Sequence, residues 1–365
     1  MKKRPELGIL ICEPASPPFA EDRFFRRLAQ VADEKGMQVV VFSPLHCNVQ
    51  TMLVKGYAYA AVNRNWVRGI YPLPRLLYDR CFYLSSHHYR EYKPWIKRLQ
   101  AEPRVRFLGL GLYGKWEVYH ILRQHSELQP ILPFTQPFTN IEQVRSVVAN
   151  GQSLILKPQG GSRGAGILRI GSSGTHYFAM GRDRRNRKVV RFFANLAQLL
   201  SFCSTRLGKR YLLQPYLHLH TPEGHPFDIR ALVQKNGAGA WEITGMAVRQ
   251  GKKDGLTANL HGGGRARLLE PFLQRYFPEQ SQQIYAEMHR ICLQVPPLLE
   301  ASHGPLVELG LDMGIEPNGK VWLIEANSKP GRSLFPRCKD RHAARNSIVR
   351  IVEYAQYLLE KGVRG

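Results

Sequence analysis

The chain has 365 residues, too many for one ordinary hydrophobic core and too few for more than three, so two or three packed units are expected. With 44% hydrophobic residues, 24 prolines and 32 glycines the composition is globular and excludes a coiled coil. Against 28 Asp and Glu stand 52 Lys and Arg, a net +24 at pH 7, far from the balance of a typical cytosolic enzyme.

The apolar stretches, such as Gly8 to Cys12 and Val39 to Phe42, fall well short of the roughly 20 residues that cross a bilayer, so no membrane span is expected. Met1 to Arg4 is basic, but Glu6 and the stretch from Glu13 to Pro18 interrupt any signal-peptide core, which points to a cytoplasmic protein. Cysteines 12, 47, 81, 203, 292 and 338 are far apart, with no C-x-x-C and no histidine at finger spacing; they read as isolated thiols. The charge is uneven. Residues 1–112 carry 18 basic and 9 acidic side chains, 113–210 carry 15 and 4, and 211–365 carry 19 and 15. The run from Arg182 to Lys188, with Arg191, lacks apolar periodicity and reads as a solvated loop or hairpin tip suited to a polyanion.

In chain order, Leu7 to Cys12 is a short apolar strand. Glu21 to Gly36 carries Phe24, Phe25, Leu28, Val31 and Ala32 at helical spacing, and Met37 to Phe42 is a β-branched strand. This β-α-β opening predicts a parallel, Rossmann-like first unit over 1–112, without the G-x-G-x-x-G of a dinucleotide site. Ile70 to Arg80 is extended and Pro-punctuated. A second unit, 113–210, opens on the amphipathic helix KWEVYHILRQHSEL from Lys115. A further helix starts at Thr139 to Glu142, which has capping-box spacing. Strand Ser153 to Leu156, strand Ile167 to Ile170, helix Phe192 to Arg206 and strand Tyr211 to Gln214 follow. The third unit, 211–365, reads as strands Phe227 to Gln234 and Trp241 to Arg249, a helix from Ile284 to Leu299, a hairpin from Val307 to Asn327 and a helix from Ala343 to Lys361.

Two motifs carry chemistry. In LILKPQGGSRGAGILRI, Gly160, Gly161, Gly164 and Gly166 lie between two strands, with Lys157 upstream and Ser162 inside the loop. Glycines let backbone amides crowd around an anion, and the lysine and serine add charge and donors: this is phosphate-cradle chemistry, although no G-K-[ST] makes it a Walker A. In GPLVELGLDMGIEPNGKVWLIEANSKPGRS, either a tight Asn318-Gly319 turn or a four-residue turn from Glu316 puts Asp312 on the same face as Glu325 and Asn327. Leu309, Leu311, Met313 and Ile315 against Trp322, Ile324 and Ala326 would form the core face. Like charges directly opposed are unfavourable unless a cation lies between them, and two carboxylates with an amide oxygen suit Mg²⁺.

A lysine-flanked glycine loop followed by an Asp…Glu-x-Asn hairpin resembles the ATP-grasp superfamily, an α/β (α+β) fold preceded by a Rossmann-like pre-ATP-grasp domain. The resemblance implies that Lys115 and Lys157 contact ATP phosphates, and that Gln214-Pro215-Tyr216-Leu217 is the hinge that reads adenine. Gln214 stands where glutamate is common. It further implies substrate and phosphate contacts from Asp228, Arg230, Arg249 and Asn259, and Mg²⁺, or alternatively Mn²⁺, on Asp312, Glu325 and Asn327. The segments LKPQGGSRGAGI, LLQPYL…PFDIRALVQK and ANLHGGG, together with the acidic hairpin, look more narrowly like the YheC/YheD-type family of spore-forming bacteria, which is endospore coat-associated.

That resemblance implies a carboxylate-amine ligase working through an acyl phosphate on an acidic peptide, wall-derived substrate or coat partner, in the forespore, mother cell or spore coat. Arg230 and Arg249 would hold the intermediate, and Lys329 and Arg332 an acidic substrate. The alternative is an ATP-binding coat scaffold without turnover. Nucleic acid is a less favoured partner, because the basic run is not interleaved with aromatics. His261 has no role in either reading.

Overall fold

The computed structural model describes residues 6–13, 15–83, 85–161, 164–253, 255, 258 and 263–362. Ser162, Asn259 and His261 lie outside the described residues.

The first unit contains β1 (Glu6–Leu10), α1 (Asp22–Glu34), β2 (Gln38–Asn48), β3 (Leu53–Ala60), β4 (Asn65–Pro72), β5 (Leu76–Asp79), α2 (Ser86–Gln100) and β6 (Arg106–Phe107). Its sheet runs β4-β3-β2-β1-β5-β6. The expected parallel arrangement holds for β2-β1-β5-β6, whereas β3 and β4 extend the sheet antiparallel. The reason is the four residues between β2 and β3, far too few for a parallel crossover. β1 sits centrally at Gly8, where a Cβ would lie 2.6 Å from Leu77 and 2.9 Å from Phe42. One sheet face is covered by α1, through Phe24, Phe25 and Leu28, and the other by Ile96 and Leu99 of α2.

Next come α3 (Lys115–Arg123), β7 (Gln136–Pro137), α4 (Glu142–Ala149), β8 (Leu154–Pro158), β9 (Leu168–Ser173), β10 (His176–Arg182), β11 (Lys188–Phe193), α5 (Leu196–Ser204) and β12 (Tyr211–Pro215). The second sheet, β11-β10-β9-β8-β12-β7, packs one face on α4 and α5 through Val144, Val148, Leu199 and Leu200. The box that starts α4 is shifted one residue from expectation: Asn140 Oδ1 accepts from Gln143 N at 3.3 Å, and Gln143 Oε1 accepts from Asn140 N at 3.2 Å. The basic run is a hairpin tip, as expected. Phe192 and Phe193, expected to open a helix, instead end β11.

The third group is β13 (Phe227–Lys235), β14 (Trp241–Gln250), β15 (Arg265–Leu268), α6 (Leu269–Tyr276), α7 (Ser281–His303), β16 (Glu308–Ile315), β17 (Val321–Asn327), α8 (Leu334–Arg337) and α9 (Arg341–Gly362). Its sheet order is β15-β14-β13-β16-β17. One face meets α7 and α6 through Ile229, Ala231, Leu309, Leu311 and Met313, and Leu232 and Ala247 on the other face meet Leu334 and Phe335.

Packing moves both expected boundaries. β12 completes the second sheet, so that unit extends past residue 210. Val118, Tyr119 and Leu122 of α3 and the turn around Leu128 to Leu132 pack in the core of the third sheet, so 113–132 joins that layer. α9 crosses back and buries Ile348, Ile351 and Ala355 in the core of the first sheet.

Candidate active site

Between the second and third sheets lies an open-mouthed cavity of about 230 Å³. Leu154 and Leu156 of β8 point into the core of the second sheet, so the period of two turns Lys157 to the opposite face. On β12, Leu213 is core and Gln214 therefore faces the same cavity. The register pairs Lys157 with Leu212 and Ile155 with Gln214, which makes Lys157 and Gln214 diagonal neighbours. Lys157 Nζ donates to Gln214 Oε1 at 3.1 Å. The orientation of that amide follows from Thr135. Its hydroxyl donates to Pro133 O at 2.9 Å and so accepts from Gln214 Nε2 at 3.1 Å, leaving Gln214 Oε1 for the lysine.

Lys157 is only 9% exposed. Burial, reinforced by the neighbouring Lys115 and only partly opposed by Glu325, lowers its pKa from 10.5 to about 8. Lys115 starts α3 and lies 3.6 Å from Glu325 Oε1, and its Nζ donates to Gly161 O at 3.5 Å. Gly160 and Gly161 line the cavity, and a Cβ at either would meet nothing within 4 Å. Their α-carbons therefore border open space. Gly161 adopts φ +105, which only glycine takes readily. Gly164 and Gly166 serve the turn instead: a Cβ at Gly166 would lie 2.7 Å from Pro158, and its N–H donates to Asp183 O at 2.9 Å.

The acidic hairpin closes on a Glu316 to Gly319 turn, with Gly319 N donating to Glu316 O at 2.9 Å. Asp312 is opposite Glu325, but Met313 pairs with Leu323, so Ile324 is a bulge residue. The bulge corrects the expected core face. Leu323 and Val321 join Met313 and Ile315 in the core, Ile324 lines the cavity, and Trp322 donates to Glu316 at 2.8 Å. Glu325 and Asn327 line the cavity.

Asp312 is only 9% exposed. It is held by Arg230, through Nε and through Nη2 at 3.0 Å, and by Arg249 Nη2 at 3.0 Å. Arg249 Nε also donates to Asp228 Oδ1 at 2.5 Å. β13, β14 and β16 bring these four residues together through the pairs Arg230 with Asp312 and Asp228 with Arg249. Gly310 leaves room for the arginine, since a Cβ there would lie 3.0 Å from Arg230 Nη1. Burial alone would raise the Asp312 carboxyl, but the Arg230 and Arg249 guanidinia outweigh it and hold the pKa below the usual carboxylate range. At Asp228 burial wins over Arg249 and the pKa rises.

Other expected residues lie elsewhere. Tyr216 sits under Arg169, whose guanidinium carbon is 3.6 Å from the ring centroid, and its hydroxyl meets His220 Nδ1 at 3.3 Å. Neither Tyr216 nor Leu217 lines the cavity. Arg332, expected to hold substrate, is committed to a buried cluster with Glu308 and, at 3.0 Å, the Tyr78 hydroxyl. Lys329 pairs with Asp79 at 2.8 Å and donates to Cys81 O at 2.8 Å. Sequence reasoning missed Thr135 as the residue that orients Gln214, because a lone threonine among prolines has no periodic signature. The six cysteines are all free thiols. No helix among the described residues is long and apolar enough to cross a membrane.

Asp312, Glu325 and Asn327 supply, from adjoining strands, hard oxygens of the kind Mg²⁺ takes; Glu325 and Asn327 line the cavity, whereas both Asp312 oxygens accept from Arg230 and Arg249.

Comparisons with known proteins bear on the family and the fold. The family model described as YheC/D like ATP-grasp matches residues 104–358. The chain is 35% identical over 320 residues to the endospore coat-associated protein YheC of Bacillus subtilis (strain 168), covering 87% of each. Among solved structures it is similar to D-cycloserine synthetase DcsG, with TM-score 0.57, 13% identity and 97% and 99% of the two chains covered. It is also similar to the D-alanine-D-alanine ligase from Coxiella burnetii, with TM-score 0.52, 10% identity and 99% and 97% covered. The mixed α/β fold is that of these ATP-grasp proteins, and the chain belongs to the YheC/D-like ATP-grasp family.

Proposed function

We propose that the protein is an ATP- and Mg²⁺-dependent ligase that joins a carboxylate to an amine through an acyl phosphate, with an acidic substrate and a place at the spore coat. The observation that carries this reading is the cavity itself. Two lysines, Lys115 and Lys157, border it together with Gly160 and Gly161, while Glu325 is the one carboxylate among its lining residues. That excess of positive charge is complementary to a polyphosphate, and the apolar wall of Val118, Leu122 and Leu132 suits a base.

In this mechanism Lys157, Lys115 and the loop amides bind the phosphates and stabilise the charge that develops on them, with Gly164 and Gly166 shaping the loop and Ser162 adding a hydroxyl donor. Gln214 fixes Lys157, and the backbone at Gln214 borders adenine. Asp312, Glu325 and Asn327 would hold Mg²⁺, which when bound neutralises phosphate charge and polarises the phosphorus. Arg230 and Arg249, which hold Asp312 in the structure, would with Asn259 offer donors to the substrate carboxylate and then to its acyl phosphate. Their forked guanidinium donors match both groups. The substrate carboxylate attacks the γ-phosphorus as ADP leaves, and the amine then attacks the carbonyl carbon and expels phosphate.

The test is ADP release from Mg-ATP with a panel of acidic peptides and amines. Turnover that is lost in Asp312→Asn and Lys157→Met supports the ligase. Tight nucleotide binding with no release across the panel overturns it in favour of an ATP-binding scaffold.

A further inference from the structure

The ligase cavity uses only one end of the second sheet's open face. Lys157 and Gln214 lie on that face at β8 and β12, and the register runs on from Ile155 to Arg169, Met180 and Val190 across β8, β9, β10 and β11. Three strand spacings make this a path of about 14 Å, the length of about four extended residues.

At the far end is the edge strand β11. Val189 and Phe193 turn inward onto the core, so Lys188, Val190 and Phe192 alternate outward. Val190 is 45% exposed and Phe192 63%. β11 pairs with β10 on one side and with no other strand among the described residues, which leaves a row of backbone donors and acceptors along its outer edge. The adjoining tip is cationic. Arg184, Arg185, Arg187 and Lys188 are exposed, and Asp183 is the only acid between His176 and Phe193. That acid is already engaged: it accepts from Arg185 N at 2.9 Å, Arg187 N at 2.8 Å and Arg187 Nε at 2.8 Å. The tip is also tied to the glycine loop, with Gly166 N donating to Asp183 O at 2.9 Å and Arg182 N donating to Ile167 O at 2.8 Å.

We infer that the β10–β11 hairpin is a docking site, outside the catalytic cavity, for an acidic polypeptide segment that adds as a strand along β11 while Val190 and Phe192 hold its apolar side chains. Charge complementarity selects the acidic partner. The unpaired edge and its exposed apolar residues select a polypeptide, because a nucleic acid would leave the row of backbone groups without partners. The inference deepens the ligase reading by naming the class of substrate or partner chain, and it rests on that reading for the acidic substrate.

The test uses the full chain and a fluorescent nine-residue peptide alternating Glu with Val, followed by anisotropy. Affinity should fall steeply with salt, at least tenfold in Arg185→Glu/Lys188→Glu, several-fold in Phe192→Ser, and at least tenfold when alternate peptide nitrogens are N-methylated. Thermal melts and binding of a fluorescent ADP analogue should match the parent, since none of these side chains lines the cavity. Unchanged peptide affinity in both variants overturns the site. Equal binding of the N-methylated peptide overturns strand addition, and tighter binding of a twelve-residue oligothymidylate overturns the polypeptide. Failure to bind the nucleotide analogue would count against the ligase reading alone.

Discussion

Two charged regions of this molecule differ in one respect. Between the first and third sheets lie Arg80 and Arg332 with Glu21 and Glu308. Arg80 donates to Glu21 Oε1 at 2.6 Å and lies 3.5 Å from Glu308. Glu308 also accepts from Arg332, from Tyr78 Oη at 2.5 Å and from Gln234 Nε2 at 3.0 Å. Guanidinium carbons lie 5.7 Å and 4.9 Å from the Phe24 ring centroid. Two cations face two anions there. In the cavity between the second and third sheets, Lys157 has a neutral amide for its hydrogen-bond partner, and two lysines share Glu325. The first arrangement is balanced in charge and holds layers together, whereas the second leaves positive charge facing open space. Asp228, Arg230, Arg249 and Asp312 are balanced like the first but sit on the strands that adjoin the second.

The largest effect is expected from breaking the charge-balanced cluster. Glu308→Ala leaves Arg80 and Arg332 in a site where Arg80 is 1% exposed, with Glu21 as the remaining carboxylate. Removing one partner of a buried ion pair costs about 3–5 kcal/mol. Urea melts should show that loss, and a loss below about 1 kcal/mol would mean that Glu308 is not what compensates the two guanidinia.

The same operation in the cavity should give the opposite pattern. Lys157→Met removes a buried ammonium and keeps a similar apolar stem, so stability should hold or rise. Affinity for a fluorescent ADP analogue should fall about a hundredfold, or about 2.7 kcal/mol. A destabilised variant with unchanged affinity would place Lys157 with the structural cluster.

pH separates the regions without mutation. Burial lowers the Lys157 pKa from 10.5 to about 8, with Lys115 adding to the effect and Glu325 opposing it. Between pH 8 and 10.5 the unfolded lysine keeps a proton that the folded one has lost. Lys157 therefore makes stability rise with pH across that window, and its full penalty applies below pH 8. Nucleotide affinity should run the other way, falling by up to about tenfold per unit above pH 8 as the ammonium is lost. Both dependences should flatten in Lys157→Met.

The same contrast marks what could be read from the sequence. Lys157 with its glycines, and Asp312 with Glu325 and Asn327, are short-range patterns on single strands or hairpins, and period-two alternation is enough to place them. The bulge at Ile324 is not visible in that alternation, so the predicted core face was wrong for Trp322 and Ile324. Arg332 was misassigned because its partners are non-local: Glu308 is 24 residues away and Tyr78 is 254. A lone arginine after a metal-type hairpin carries no mark of whether its charge is compensated. The placement of α3 on the third sheet was hidden for a similar reason, since its apolar face is equally compatible with either layer.

The smallest expected effect tests what sets the Lys157 pKa. Gln214→Glu keeps the side-chain shape and puts a carboxylate where Oε1 now accepts from Lys157 at 3.1 Å, at the loss of the Nε2 donor to Thr135. A carboxylate beside a buried ammonium favours its charged form. The midpoint of the affinity-versus-pH curve should therefore move up from about 8 toward 10.5, while affinity at pH 7, where Lys157 is already protonated, falls by less than in Lys157→Met, because the carboxylate offsets the ammonium without removing it. A midpoint that stays near 8 would show that burial, and not the hinge partner, governs the lysine. Glutamine at the hinge would then have no influence on the charge presented to the nucleotide. A midpoint that rises would assign Gln214 a specific role: it holds Lys157 in place without neutralising it, so that the cavity keeps the excess charge that distinguishes it from the closed cluster.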